Sequence, residues 1–172
     1  VGRMATEKAL PKLLKIWGMV QDKLPDWKLT LVGDGPQFGT CRQIIAEKKL
    51  KRVCLTGHQM SIPYIDRARI LCLTSVIEGL PTVFTEAMSL GVIPIGFNSF
   101  NAIYDMIDDG IDGFIIPDNN YEQYAETILR LAQDDTLRCQ IAYKAQKRKN
   151  RYDIEQVGPL WMETFRKHGL IK

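Results

Sequence analysis

The sequence predicts an α/β domain built on a doubly wound parallel sheet, and three observations predict it. Short apolar runs alternate with helix-period segments from the first residues to about Ala132. Each run stops at a glycine, a proline or a polar turn, and beyond Asp134 the pattern becomes wholly helical. Such alternation places helices on both faces of a parallel sheet, a Rossmann-like arrangement, with the last helices as an addition to it. A chain of 172 residues suffices for one domain with a full core.

Taken in order, residues 5–21 carry a helical period and residues 27–32 an apolar strand ending at Gly33. A second helix is expected over 37–49 and a strand over 52–56, stopped by Gly57. A short helix over 62–67 and a strand over 69–74 follow. Pro81 then suits the first position of a helix, where its missing N–H is no loss. Along that helix Val83, Ala87 and Leu90 make the expected core face, with Thr82, Glu86 and Ser89 as a polar stripe beside it. A strand over 92–95, a short helix over 102–108, a strand over 113–116 and a helix over 121–132 complete the alternation. Helices over 136–149 and 154–167 end the chain.

The most informative segment spans the strand-to-helix junction at 74–88. Glu78 and Glu86 flank the helix start, and helical side chains lean toward the N-terminus, so Glu86 points back at the turn that carries Glu78. The backbone from Leu80 through Pro81 and Thr82 to Val83, with the helix dipole behind it, would face a phosphate. Glu86 could accept hydroxyls as a carboxylate does from ribose. Arg3 and Lys8 flank the first strand-to-helix connection, at the same edge of the sheet, where fixed cations would stabilise a departing diphosphate.

Residues 78–88, read as Glu-Gly-Leu-Pro-Thr-Val-Phe-Thr-Glu-Ala-Met, with Leu90-Gly91-Val92-Ile93-Pro94 after them, closely resemble the E-x7-E signature of the retaining glycosyltransferases of family 4, glycosyl transferases group 1. Val1-Gly2-Arg3-Met4, Gly33-Asp34-Gly35-Pro36, Thr56-Gly57 and Asp112-Gly113-Phe114 fall in that family's order, and the resemblance covers almost the whole chain. It implies the C-terminal, donor-binding half of a GT-B fold over 1–172, with the N-terminal acceptor domain absent from this chain. A chain opening inside the end of a first strand is expected to start at such a domain boundary.

The resemblance also implies roles. Glu78 would hold the donor sugar's hydroxyls as the catalytic-site carboxylate, and Arg3, Lys8 and the backbone of Leu80, Pro81 and Thr82 would bind the diphosphate. Glu86 would take the ribose, and the loop of His58 and Gln59 the base. The donor would be a nucleoside diphosphate sugar, UDP-sugar before GDP-sugar, with no metal or other cofactor required, and the isolated domain is expected to be inactive alone. The acceptor, a glycan or a lipid-linked glycan, would be met through the missing domain. In the intact fold the last helix crosses back to that domain, so Leu160, Trp161 and Phe165 are expected to be less buried here. Two departures from the family pattern bear on the site. Ala9 stands where a glycine is usual, and Ser99 with Phe100 replace two glycines, Phe100 reading equally as a hydrophobic plug.

Other readings are weaker. Gly33, Gly35 and Gly39 nearly make a dinucleotide fingerprint, but the third glycine is one place late and Lys51, Arg52 and Val53 occupy the place of a ribose-binding acid. The stretch is read as a structural turn. A response-regulator-like domain would want acids at the first strand, and Val1-Gly2-Arg3 supplies none. A non-catalytic nucleotide-sugar-binding module is the alternative to an enzyme. A net charge of +3 makes no case for nucleic acid, and no apolar run is long enough to span a bilayer. The basic run Lys144, Lys147, Arg148, Lys149 and Arg151 could touch an anionic membrane or form a solvated helix end. Cys41, Cys54, Cys72 and Cys139 lack metal-site spacing and read as reduced thiols, so the cytoplasm is expected, in contact with the inner face of the membrane where the acceptor is lipid-linked.

Overall fold

The computed structural model describes residues 1–148 and 153–171. Among these described residues five strands, β1 (Leu29–Leu31), β2 (Val53–Leu55), β3 (Ile70–Leu73), β4 (Ile93–Phe97) and β5 (Phe114–Ile116), all pair in parallel. They form two hydrogen-bonded parts, β1-β2 and β3-β4-β5. Residues 1–4 run parallel to the chain that leaves β1, with Gly2 N–H donating to Val32 O at 2.9 Å and Met4 N–H to Asp34 O at 2.8 Å. Between the two parts lies a cavity of about 520 Å³, lined by Leu29 and Leu31 on one side and Leu71 and Leu73 on the other.

Among the described residues there are eight α-helices: α1 (Leu10–Val20), α2 (Phe38–Glu47), α3 (Ile62–Ile65), α4 (Thr82–Ser89), α5 (Ile103–Met106), α6 (Tyr121–Gln133), α7 (Asp135–Arg148) and α8 (Ile154–Lys167). On one face Ile16, Trp17 and Val20 of α1 pack with Tyr124, Ile128 and Leu131 of α6 against Ile93, Ile95 and Phe97. On the other, Phe84 and Ala87 of α4 and Ile103 and Met106 of α5 pack on Leu71 and Leu73. The strand β4 is buried at every residue, as a strand covered on both faces must be. This is the doubly wound sheet that the alternation predicts.

The first helix departs from expectation. Thr6–Lys8 form a single 3-10 turn, Ala9 takes a left-handed conformation (φ 47°, ψ 40°), and α1 starts only at Leu10. Pro11 explains the break, since a proline belongs in a helix's first turn and not one and a half turns inside it. Ala9 therefore accepts the backbone geometry for which a glycine is the easier residue.

Two further corrections fall on α4. Pro81 is the residue before the helix, with ψ 90°, and Thr82 is its first residue. Of the expected face of Val83, Ala87 and Leu90, Ala87 is buried, together with Phe84 and Met88, while Val83 and Leu90 are only partly buried at its margin. Gly96 opens the space for this: a Cβ there would stand 3.1 Å from the Phe84 ring and 2.8 Å from Ile103.

No residue of α8 is buried. Leu160 is 62% and Trp161 56% exposed, while Phe165, half-buried, lies 5.5 Å from the Trp161 ring. Among the described residues no helix is long and apolar enough to cross a membrane.

Candidate functional site

A parallel sheet delivers its loops to one edge, the carboxyl ends of its strands, and helix N-termini face the same way. Two of those loops are fastened together here. Val76 N–H donates to Glu7 O at 2.8 Å, and the Thr74 hydroxyl donates to Lys8 O at 3.1 Å. The 3-10 turn after residues 1–4 is thus fixed on the loop that follows β3. Across this junction Lys8 Nζ donates to Glu78 Oε1 at 2.6 Å, with side-chain exposures of 26% and 12%.

The same loop delivers the N-terminus of α4. Leu80, Thr82 and Val83 have amides with no backbone partner among the described residues. Pro81 has no N–H to offer, so the donors toward an anion are its neighbours, and Pro81 serves by setting the turn. On the second turn of α4, Glu86 Oε2 accepts from the Ser61 hydroxyl at 3.3 Å. Ser61 stands at the N-cap position of α3 but makes no side-chain cap there.

One cavity of about 540 Å³ is lined by Arg3, Lys8, His58, Gln59, Glu78, Leu80, Pro81, Thr82 and Glu86. These are all the site residues that the sequence singles out, from three separate connections. Arg3 is exposed, and its side chain has no hydrogen-bond or ion-pair partner among the described residues. Val83, the end of the backbone stretch expected to face a phosphate, lines the cavity as well, and sequence reasoning missed Ser61 and Asp34, which also line it. Asp34 turns its carboxylate to its own chain, accepting from Gly35 N–H at 2.7 Å. For Ser61 the available signal was a serine just before Ile62-Pro63, which reads as a helix start and says nothing of Glu86.

The other candidates resolve as structure. A Cβ on Gly33 would lie 1.9 Å from Gly2 O, and one on Gly35 2.7 Å from Met4 O, so these glycines let two backbones meet. Phe100 is buried among Leu71, Leu73 and Phe84, which makes it a plug. Within the basic run, Arg148 turns inward to pair with Asp108 and with buried Asp112, leaving Lys144 and Lys147 exposed. Lys149 and Arg151 lie outside the described residues. The four cysteines are free thiols.

A parallel sheet that gathers cations, open helix amides and two carboxylates at its carboxyl edge is the framework of a Rossmann-like nucleotide-binding domain. The chain belongs to the glycosyl transferases group 1 family, whose profile matches residues 1–148. It is 28% identical over 168 residues to an uncharacterized glycosyltransferase of Haemophilus influenzae, covering 94% of this chain and 46% of that protein. It is 26% identical over 171 residues to the GalNAc-alpha-(1->4)-GalNAc-alpha-(1->3)-diNAcBac-PP-undecaprenol alpha-1,4-N-acetyl-D-galactosaminyltransferase of Campylobacter jejuni, covering 96% of this chain and 46% of that enzyme. The chain thus spans about half the length of these relatives. Its fold matches that of Staphylococcus aureus TarM, solved with Fondaparinux, alpha-GlcNAc-glycerol and UDP, with a TM-score of 0.90 at 25% identity over 95% of this chain and 34% of TarM.

Proposed function

We propose that this chain is the donor-binding half of a retaining GT-B glycosyltransferase of family 4, transferring a sugar from a nucleoside diphosphate to a glycan or lipid-linked acceptor. The observation that carries the reading is the convergence of Arg3, Lys8 and the open amides of α4 with Glu78 and Glu86 on one cavity. In this reading the amides of Leu80, Thr82 and Val83 and the cations Arg3 and Lys8 hold the diphosphate and stabilise the charge that gathers on it as the sugar departs. Glu86 accepts the ribose hydroxyls, the loop of His58 and Gln59 faces the base, and Glu78 orients the sugar.

Because the protein itself supplies the positive charge, donor binding should need no metal. The UDP in the TarM complex favours a uridine donor. The undecaprenol and the alpha linkage in the Campylobacter enzyme's name favour a lipid-linked acceptor and retention. An acceptor of that kind would be met at the inner face of the cytoplasmic membrane, through an acceptor domain outside this chain, and the domain alone would turn over nothing.

Calorimetric titration with UDP, GDP and ADP, each with EDTA and then with magnesium, tests the proposal. Saturable UDP binding that is indifferent to magnesium is expected. Binding of none of the three would overturn the donor-site reading.

A further inference from the structure

Of the cations Arg3 and Lys8 on the cavity, the Arg3 side chain is without a partner among the described residues and Lys8 is paired. Lys8 is held at 2.6 Å by Glu78, the residue assigned above to the sugar, and that carboxylate is only 12% exposed. The pair is braced from behind, because Val76 N–H and the Thr74 hydroxyl fasten the Lys8 turn to the Glu78 loop. An ammonium on a four-carbon stem can swing within such a frame, whereas the two backbones cannot part.

We propose that Lys8 and Glu78 are an exchange pair, in which the donor's diphosphate draws Lys8 off Glu78 and the carboxylate so released accepts the hydroxyls of the sugar. The inference rests on the donor-site reading and extends it to how the site tells a loaded nucleotide from an empty one. A nucleoside diphosphate without its sugar breaks the ion pair and leaves Glu78 shielded from water with no donor, which is costly for a charged group. A nucleotide sugar breaks the same pair and restores both halves, Lys8 to phosphate and Glu78 to hydroxyl. Glu78 therefore weakens the binding of the spent nucleotide and strengthens that of the donor, which favours product release as well as donor selection.

The test compares UDP with UDP-glucose and UDP-N-acetylglucosamine by calorimetry on the unaltered chain, Glu78→Gln, Lys8→Met and the double variant, with thermal melting to check that each is folded. In Glu78→Gln, UDP should bind about three- to fivefold tighter, the range open to a partly exposed ion pair, while the UDP-sugar preference of the unaltered chain shrinks. In the Lys8→Met background the same substitution should no longer tighten UDP. Tightening that persists without Lys8 would mean simple charge repulsion and would overturn the exchange, as would UDP binding that Glu78→Gln leaves unchanged or weakens. Those outcomes leave the donor-site reading standing. Failure of the unaltered chain to bind UDP would overturn that reading and the exchange with it.

Discussion

Ser61 gives its hydroxyl to Glu86 at 3.3 Å and not to the helix that it precedes. That bond orients one carboxylate oxygen of Glu86 and leaves the other for the cavity. Glu86→Ala should then weaken UDP binding by about 1.5–3 kcal/mol, the range for a hydrogen bond to a charged group. Ser61→Ala removes only the orienting bond and should cost about 0.5–1.5 kcal/mol. Calorimetry with UDP and with 2′,3′-dideoxy-UDP separates the roles. The Glu86→Ala loss should vanish for the nucleotide without ribose hydroxyls, and an equal loss for both nucleotides would remove Glu86 from the ribose.

Ala9 links the 3-10 turn to α1 in a left-handed conformation at φ 47°. A side chain there costs about 1–2 kcal/mol relative to a right-handed residue, and a glycine in its place costs about 0.4–1 kcal/mol through the greater freedom of the unfolded chain. The difference gives a net stabilisation of about 0.5–1 kcal/mol for Ala9→Gly, read as a higher urea midpoint at unchanged slope. A lower midpoint would mean that the methyl group makes a contact worth more than the strain.

Two tryptophans predict opposite outcomes. Trp17 is 4% exposed within the core face of α1, and its indole N–H donates to Lys51 O at 2.8 Å. Trp17→Ala should cost about 3–5 kcal/mol in denaturant unfolding. Trp161 is 56% exposed on α8, and Trp161→Ala should change the stability of this chain by about 0.5 kcal/mol or less. A large loss at Trp161 would show that α8 has a packing partner within the chain.

The alternation of strand and helix was legible because a parallel sheet covered on both faces writes its core into short apolar runs, as at Ile93 and Ile95. The break at Ala9 was also written, in Pro11, but the apolar period runs through it and conceals it. The rotation of the α4 core face toward Phe84 depends on the space that Gly96 leaves on a different strand, so no local period contains it. At the site, Glu78 and Glu86 could be found because their spacing spans a single turn. The Lys8–Glu78 ion pair joins residues 70 apart, and the Ser61–Glu86 bond residues 25 apart. Such contacts are set by where the strands deliver their loops, which spacing alone does not encode.

Burial pushes the Cys72 thiol up to about 11 from 9.0, a shift that the neighbouring Tyr124 hydroxyl partly opposes. Cys41 and Tyr124 are raised by burial in the same direction. A raised folded value means that the native chain keeps its proton where the unfolded chain has lost it. The stability from Cys72 is therefore whole below about pH 9 and declines as pH rises toward 11. Urea unfolding at successive pH values should show that decline, with a shallower slope in Cys72→Ala. Thiol labelling of the native protein at pH 8 gives an independent reading: exposed Cys54 and Cys139 should react quickly, buried Cys41 should be protected, and half-buried Cys72, its thiol held protonated, should react slowly. Labelling of Cys72 as fast as Cys54 would mean that the face of β3 opens to solvent in the native state, and the alkaline loss of stability would then need another source.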